Sequence, residues 1–242
     1  MYKMINKKTL QFCMPWSPDG KTFAVRDLRA GRLLRFSALG AGAGEPLLAD
    51  GARDLPDQWT PDGRGLIFSR QETATGRTSI YLLSLDTLPA KRSVIVDGGQ
   101  GIARNASLSP DGHWLAYESD ESGRYEIYVQ AYPSPAGRLQ VSREGGTKAR
   151  WAKNSNQLYF ITGTTIMVTT VTTQPDLRSE APRRIVNEPL LVQDATIHKP
   201  YDVALDGRIL AIKEDDSVRF DYIVVVQNWL SEARALLSTP RK

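Results

Sequence analysis

The chain has 242 residues, a formal net charge of +4 and a hydrophobic content of 41%, which suits a folded chain with a substantial buried core. Its Lys and Arg residues are scattered and form no basic block, which argues against nucleic acid as a partner. Cys13 is the single cysteine, so no internal disulfide can form. The first residues lack the apolar stretch of a signal peptide, and no window is apolar enough for a membrane span.

A short turn sequence recurs along the chain and divides it into units. Three clear copies and two weaker ones are WSPDG at 16–20, WTPDG at 59–63, LSPDG at 108–112, WAKNS at 151–155 and VALDG at 203–207. Successive copies start 43 to 52 residues apart. This spacing is typical of the blades of a β-propeller.

The residue types of the clear copies match the positions of a tight turn. Pro presets φ at the second position, Ser or Thr suits the first, Asp suits the third and Gly suits the fourth. No calcium-loop pattern surrounds the Asp residues, so we interpret the motif as architecture. The Trp before each turn is predicted to wedge between neighbouring sheets, which makes Trp16, Trp59 and Trp151 core residues.

Each turn is followed by a run that is apolar at three consecutive positions, as in Leu66–Phe68 and Leu115–Tyr117. Such a run predicts a strand that is buried on both faces. The positions aligned with Leu66 are Phe23, Leu115, Leu158 and Leu210. A polar hairpin tip, a second β-rich run and a shorter third run follow, so each unit reads as four strands.

We therefore predict an all-β fold, a β-propeller of about five four-stranded antiparallel blades with a short C-terminal helix. The five blades form either a whole ring or part of a ring of six or more. Residues 1–14 either complete the last blade or are the remnant of a preceding one. The approximate bounds within this single domain, 1–242, are 10–50, 51–98, 99–144, 145–190 and 191–230 for the blades and 228–238 for the helix.

Residue patterns of known catalytic sites are missing. The two histidines, His113 and His198, accompany no G-x-S-x-G elbow, and no Cys or His spacing suggests a metal. The carboxylates Glu118, Asp120 and Glu121 fall at a hairpin tip and are predicted to be solvated. The sequence therefore predicts a non-enzymatic protein with no cofactor and no metal.

The W-S-P-D-G-K turn, the IY that opens two third strands and the GG before the next unit resemble the repeats of TolB-type propellers. In the second half, the ending VVQNW with its short helix resembles the C-terminal propeller of bacterial multidomain Ser/Thr protein kinases or transcriptional regulators. The resemblance implies a sensory or interaction module that is tethered to an upstream domain. It would be periplasmic or extracytoplasmic in a membrane-linked parent and cytoplasmic otherwise.

Three functions remain open at this point. The leading one is a non-catalytic scaffold that binds a protein or a small ligand at an end face or in the central channel. The others are the gating propeller of a serine peptidase and an enzyme that acts from the channel. Because a site is most expected where the repeat decays, the predicted ligand-facing residues are Lys153, Asn154, Asp194, His198 and Tyr201.

Overall fold

The computed structural model describes residues 14–27, 31–39, 44–48, 53–87, 89–153, 156–185 and 200–211. These residues form strands in five antiparallel sheets, and no helix occurs among them. Cys13 and the predicted helix at 228–238 lie outside the described residues.

The order of strands within each sheet follows the order of the chain. The first sheet contains β1 (Thr22–Arg26), β2 (Leu33–Ser37) and β3 (Glu45–Pro46). The second contains β4 (Arg53–Trp59), β5 (Gly65–Gln71), β6 (Thr78–Ser84) and β7 (Lys91–Val96). The third contains β8 (Ala103–Leu108), β9 (Trp114–Ser119), β10 (Glu126–Ala131) and β11 (Arg138–Gln140).

The fourth sheet contains β12 (Thr147–Trp151), β13 (Gln157–Thr162), β14 (Thr165–Thr172), β15 (Arg178–Ser179) and β16 (Arg183–Arg184). The fifth contains β17 (Tyr201–Val203) and β18 (Ile209–Ala211). Strand β4 contacts β8, and β8 contacts β12, so the leading strands of successive sheets lie side by side. We call β4, β8, β12 and β17 the inner strands. This arrangement is the blade pattern that the repeat predicts.

The repeated motif is a turn between the inner strand and the second strand of a sheet, as predicted. The N–H of Gly63 donates to the carbonyl of Thr60 at 2.9 Å, and Gly63 has a φ of 71°, which favours glycine. The Thr60 hydroxyl donates to Asp62 Oδ1 at 2.5 Å, and the Arg64 N–H donates to the same oxygen at 3.0 Å. The turn therefore uses the aspartate internally, and the hydroxyl–carboxylate bond lowers the pKa of Asp62.

The prolines of the clear copies also join successive turns. A Cβ built on Gly63 would lie 3.8 Å from Pro18 Cδ, and one on Gly112 would lie 3.5 Å from Pro61 Cγ. The equivalent Gly207 has no such neighbour within 4 Å, and the residue aligned with proline in the preceding turn is Lys153. Proline thus sets the turn and packs against the next one.

Four apolar seams hold the five sheets together. In each seam, the last residue of an inner strand shares a cluster with one residue of the strand that follows the repeated turn in the preceding sheet, which is β1, β5, β9 or β13. The pairs are Trp59 with Ala24, Leu108 with Ile67, Trp151 with Ala116, and Val203 with Tyr159. All eight residues are at least nine-tenths buried, so both faces of the inner sheets are covered, as predicted.

A hydrogen bond crosses two of these seams at the bulge in the inner strand. The Asn105 N–H donates to Ser69 Oγ at 3.2 Å, and the Lys148 N–H donates to Glu118 Oε2 at 2.8 Å. Asn105 and Lys148 both have positive φ, 56° and 57°. In the second and fifth sheets the aligned residues are Pro56 and Pro200, which have no N–H to satisfy.

The residues at the acceptor position change together with the residues at the donor position. Ser69 and Glu118 are oxygen acceptors, whereas the aligned residues that face Pro56 and Pro200 are Arg26 and Ile161. An acceptor is therefore present where the next sheet offers an N–H. This matching protects buried backbone donors from losing their partners.

Two predictions about burial were wrong, one for a residue expected to be buried and one for a residue expected to be solvated. Trp16 is 53% exposed, whereas Trp59 and Trp151 are 4% and 7% exposed, because no described sheet precedes Trp16. Glu118 is 1% exposed and lies at the end of β9, where Arg104 Nε donates to its Oε1 at 2.6 Å.

The predicted alignment of the fifth unit was wrong by one residue. Val203 pairs with Ile209 and Asp202 pairs with Leu210, whereas Trp59 pairs with Leu66, seven positions later. The fifth turn closes one residue earlier, with the Ala204 N–H donating to the Arg208 carbonyl. A one-residue shift turns side chains to the opposite face, so Ile209 takes the position of Leu66 and Leu210 is 77% exposed.

Candidate ligand-binding site between the fourth and fifth sheets

In two inner strands, β4 and β12, the next-to-last residue contacts the following sheet. In the second sheet this residue is Gln58, and its Oε1 accepts the Leu108 N–H of the third sheet at 3.1 Å. In the fourth sheet it is Arg150, which faces Asp202 of the fifth sheet. The next-to-last position therefore makes a neutral hydrogen bond to backbone at one seam and an ion pair at another.

Arg150 and Asp202 form an incomplete pair. Arg150 Nη1 lies 3.3 Å from Asp202 Oδ1, and the two side chains are 31% and 51% exposed. The Arg150 Nε atom is buried and has no hydrogen-bond partner. A buried N–H without a partner is unfavourable by about 1–3 kcal/mol, so an oxygen acceptor that reached this atom would be stabilised.

Tyr201 and Lys148 close the seam beside this pair. Tyr201 is 3% exposed, and its hydroxyl donates to the Lys148 carbonyl at 2.9 Å. Burial of the ring raises the pKa of Tyr201, so the hydroxyl keeps its proton at neutral pH and stays a donor. The contact fixes the start of β17 against β12 and thereby holds Asp202 next to Arg150.

Of the five predicted ligand-facing residues, the structure describes Lys153 and Tyr201, and it places these two apart. Lys153 is exposed in the turn after β12, whereas Tyr201 contacts the other end of β12. A strand of this length spans roughly 16 Å at about 3.3 Å per residue, so Lys153 and the Tyr201 hydroxyl do not share one site. His198, Asp194 and Asn154 lie outside the described residues, and ligand contact by any of the five stays a prediction.

The strongly buried charges elsewhere take part in structural contacts. Arg70 binds Asp54 through two hydrogen bonds of 2.6 and 2.7 Å, and Glu118 binds Arg104. The carboxylate of Glu126 is fully buried and accepts from Arg124, Ser142 and the Gly145 N–H. The Arg150–Asp202 pair differs from these pairs in its carboxylate, because the Asp202 side chain is 51% exposed, whereas the side chains of Asp54, Glu118 and Glu126 are at most 1% exposed.

No group of three metal-ligating side chains occurs in the described ranges. These ranges also contain no helix of the length and hydropathy that a membrane crossing requires. The described seam between the fourth and fifth sheets therefore offers the Arg150 guanidinium and the Asp202 carboxylate, with no group of metal-ligating side chains beside them.

Sequence reasoning pointed to the stretches around WAKNS and KPYD but missed Arg150 and Asp202 themselves. The signal was present in the alignment of the turn copies. The residue directly before the turn copy is Gln58, Ser107, Arg150 or Asp202 in the second to fifth units, so opposite charges occur in neighbouring units only at the fourth and fifth. The two side chains meet because one sheet packs on the next, and this packing cannot be predicted from the local sequence.

No family model matches the chain. An uncharacterised protein of Agrobacterium fabrum is 24% identical over 149 residues, which make up 60% of this chain and 48% of that protein. The chain thus spans about half the length of the curated relative it matches.

Solved structures show what the sheets form. TolB from Acinetobacter baumannii matches with a TM-score of 0.52 at 17% identity, over 89% of this chain and 49% of TolB. The fold is a β-propeller, similar to that of TolB. A puromycin-hydrolysing peptidase from Mycobacterium tuberculosis matches the same fold with a TM-score of 0.56 at 19% identity, over 86% of this chain and 34% of the peptidase.

Proposed function

We propose that this propeller is a non-catalytic binding module and that its ligand binds between the fourth and fifth sheets, at Arg150 and Asp202. The observation that supports the proposal is the buried Arg150 Nε–H, which has no acceptor although it lies beside a half-exposed carboxylate. Binding sites commonly place a few polar groups of this kind in an otherwise apolar surrounding.

The two side chains define the chemistry of the ligand. Arg150 offers N–H donors in a planar fork, which suits a carboxylate or a carbonyl oxygen. Asp202 offers an acceptor for an N–H or O–H group. A ligand that carries an oxygen acceptor next to a donor satisfies both, as the peptide unit of a protein segment and a free amino acid do.

A binding role is favoured over catalysis from the channel by the use of the other buried charges. A channel enzyme needs ionisable groups that are near the axis and available to a substrate. Asp54, Glu118 and Glu126 are instead engaged by neighbouring donors. We place the module in a larger bacterial signalling protein, where the occupancy of the site would be sensed by an attached domain.

The proposal is tested by ligand-induced thermal stabilisation. The probes are capped dipeptides, free amino acids and sugar acids, each added at millimolar concentration to the purified chain. A ligand at 100 times its Kd stabilises the folded state by about 2.7 kcal/mol. We expect at least one class to raise the melting temperature of the wild type and to lose this effect in Arg150→Gln and Asp202→Asn.

Arg208→Gln is the matched control. Arg208 also pairs with an aspartate of the fifth sheet, because its Nε lies 2.7 Å from Asp206 Oδ2, but its side chain is 85% exposed. This variant should respond to ligand as the wild type does. A ligand that stabilises all the variants equally would place the binding site elsewhere, and a complete absence of stabilisation would contradict binding of these ligand classes.

A further inference from the structure

The backbone N–H that follows Asp202 is satisfied differently from its counterpart in the third sheet. At the seam between the second and third sheets, the Gln58 side chain accepts the Leu108 N–H at 3.1 Å. The aligned residues in the fourth and fifth sheets are Arg150 and Val203, and a guanidinium has no acceptor atom. Asp202 Oδ1 accepts the Val203 N–H instead, at 2.9 Å. Arg150 therefore does not perform the backbone role that Gln58 performs at the other seam.

Asp202 is held in place by contacts on its own side of the seam. The Val203 N–H holds its Oδ1, and the bond from the Tyr201 hydroxyl to the Lys148 carbonyl holds β17 against β12. The Asp202 side chain is 51% exposed, so a donor group in solution can reach the carboxylate. Arg150 Nη1 lies 3.3 Å from Oδ1, and the Arg150 Nε–H has no acceptor. The site thus presents a negative and a positive group side by side.

The two charges favour a ligand that itself carries both charges. A ligand ammonium beside Asp202 and a ligand carboxylate beside Arg150 give a closed set of four groups, in which each charge has opposite charges as neighbours. Hydrogen bonds between ionised groups are roughly twice as strong as those between neutral groups. A peptide unit offers Asp202 and Arg150 only a neutral N–H and a neutral C=O, and a sugar acid offers an anion without a cation.

Given the binding site at Arg150 and Asp202 proposed above, on which this inference rests, we propose that the ligand is a free α-amino acid, bound as the zwitterion. An α-amino acid carries its ammonium and carboxylate groups on one carbon atom, so its two charges are close together, as Arg150 Nη1 and Asp202 Oδ1 are. The ammonium donates to the Asp202 carboxylate. The carboxylate accepts from the Arg150 guanidinium, including the Nε–H.

The test compares a free amino acid with derivatives that each lack one feature. The protein amino acids are screened by thermal shift, and the most stabilising one is titrated by calorimetry. Its N-acetyl derivative lacks the cation, its amide lacks the anion, and its β-homologue has one more carbon between the two charges. We expect each derivative to bind at least about tenfold more weakly than the free amino acid.

Two conservative variants should each remove one half of the recognition. Asp202→Asn should weaken the free amino acid by about tenfold and change the N-acetyl derivative by less than about threefold, because that derivative has no cation to lose. Arg150→Gln should weaken the free amino acid equally and leave its amide almost unchanged. Arg208→Gln, which removes an exposed pair of the same sheet, should bind all the compounds as the wild type does.

Circular dichroism checks that each variant is folded. If Arg150→Gln fails this check, Arg150→Lys replaces it. That variant keeps the positive charge, so it should still bind the free amino acid more tightly than the amide.

The outcomes separate this inference from the proposed function. Stabilisation by capped dipeptides or sugar acids that depends on Arg150 and Asp202, with no binding of any free amino acid, would overturn the zwitterionic ligand and support the site. An N-acetyl derivative or amide that binds as tightly as the free amino acid would overturn it as well. Amino-acid binding that persists in both variants, or no binding of any compound, would overturn both proposals.

Discussion

Replacement of Glu118 probes the hydrogen bond that crosses the seam between the third and fourth sheets. Its carboxylate is 1% exposed and accepts from Arg104 Nε at 2.6 Å and from the Lys148 N–H at 2.8 Å. Glu118→Ala removes both acceptors at once. It leaves a guanidinium and a backbone N–H of the next sheet without their partner.

The expected loss follows from the burial of the two partners. Removal of one member of a buried ion pair destabilises a protein by about 3–5 kcal/mol. The Arg104 side chain is 36% exposed and regains water in the variant, which places the loss near the lower end, about 3 kcal/mol. For a chain of this length that corresponds to a melting temperature lower by roughly 6–12 °C.

Glu118→Gln separates charge from hydrogen bonding. The amide oxygen still accepts from the Lys148 N–H but no longer pairs with a cation, so we expect a loss of about 1–2 kcal/mol. Glu45 provides the control, since Arg35 Nη2 lies 2.6 Å from its carboxylate but the Glu45 side chain is 63% exposed. Glu45→Ala should change the free energy of unfolding by less than about 1 kcal/mol.

Urea unfolding followed by circular dichroism gives all of these values. The expected order of destabilisation is Glu118→Ala, then Glu118→Gln, then Glu45→Ala. A loss below about 1 kcal/mol for Glu118→Ala would refute the reasoning, because it would mean that the buried carboxylate does not hold the seam.

Three further predictions concern the turns and the other seam hydrogen bond. The Thr60 hydroxyl lowers the pKa of Asp62 in the folded state. The ionised Asp62 therefore stabilises the fold above the unfolded pKa of about 3.8, and this stabilisation is lost as pH falls through the folded pKa. Asp62→Asn should reduce the difference in melting temperature between about pH 6 and pH 3, and an unchanged difference would contradict this. Gly112 has a φ of 73°, so Gly112→Ala should lower the free energy of unfolding by about 1–2 kcal/mol, and an unchanged urea midpoint would exclude strain at this turn. Ser69→Ala removes the acceptor of the Asn105 N–H of the third sheet and should lower the free energy of unfolding by about 1–3 kcal/mol. Ser122→Ala, at an exposed hairpin tip, should change it by less than about 0.5 kcal/mol. Equal losses in the two variants would contradict a stabilising hydrogen bond at Ser69.

The blade pattern could be predicted from the sequence because its signals are local. A turn such as Thr60–Gly63 is specified by four residues whose preferences agree, and the apolar run after it indicates a strand buried on both faces. In the first unit, the β-rich run RLLRFSAL at 32–39 contains the strand β2. Three clear copies of the turn were enough to locate the two decayed copies.

The errors occurred where one residue or one missing neighbour decides the outcome. The fifth turn is a residue shorter than the others, which moves Leu210 to the opposite face although the apolar pattern is unchanged. Trp16 precedes a turn of the same type as the turn after Trp59, but no described sheet covers it. A sequence pattern reports the residue and its turn but not whether another sheet covers it.

The candidate site was located only as a region. The departures from the repeat pointed to the fourth and fifth units, and Arg150 and Asp202 lie there. The pair itself arises because two inner strands from different sheets place their next-to-last residues together. Such a contact joins residues far apart in the chain, and no local preference encodes it.

The most direct test of the proposed binding site is the nitrogen–proton NMR signal of the Arg150 Nε–H group, assigned by its loss in Arg150→Lys. The signal should shift and saturate as a capped dipeptide, a free amino acid or a sugar acid is added, because the ligand oxygen becomes the missing acceptor. The same titration in Asp202→Asn should need more ligand. An Arg150 signal that stays fixed with every probe, or that moves no more than that of Arg208, would contradict the proposed site.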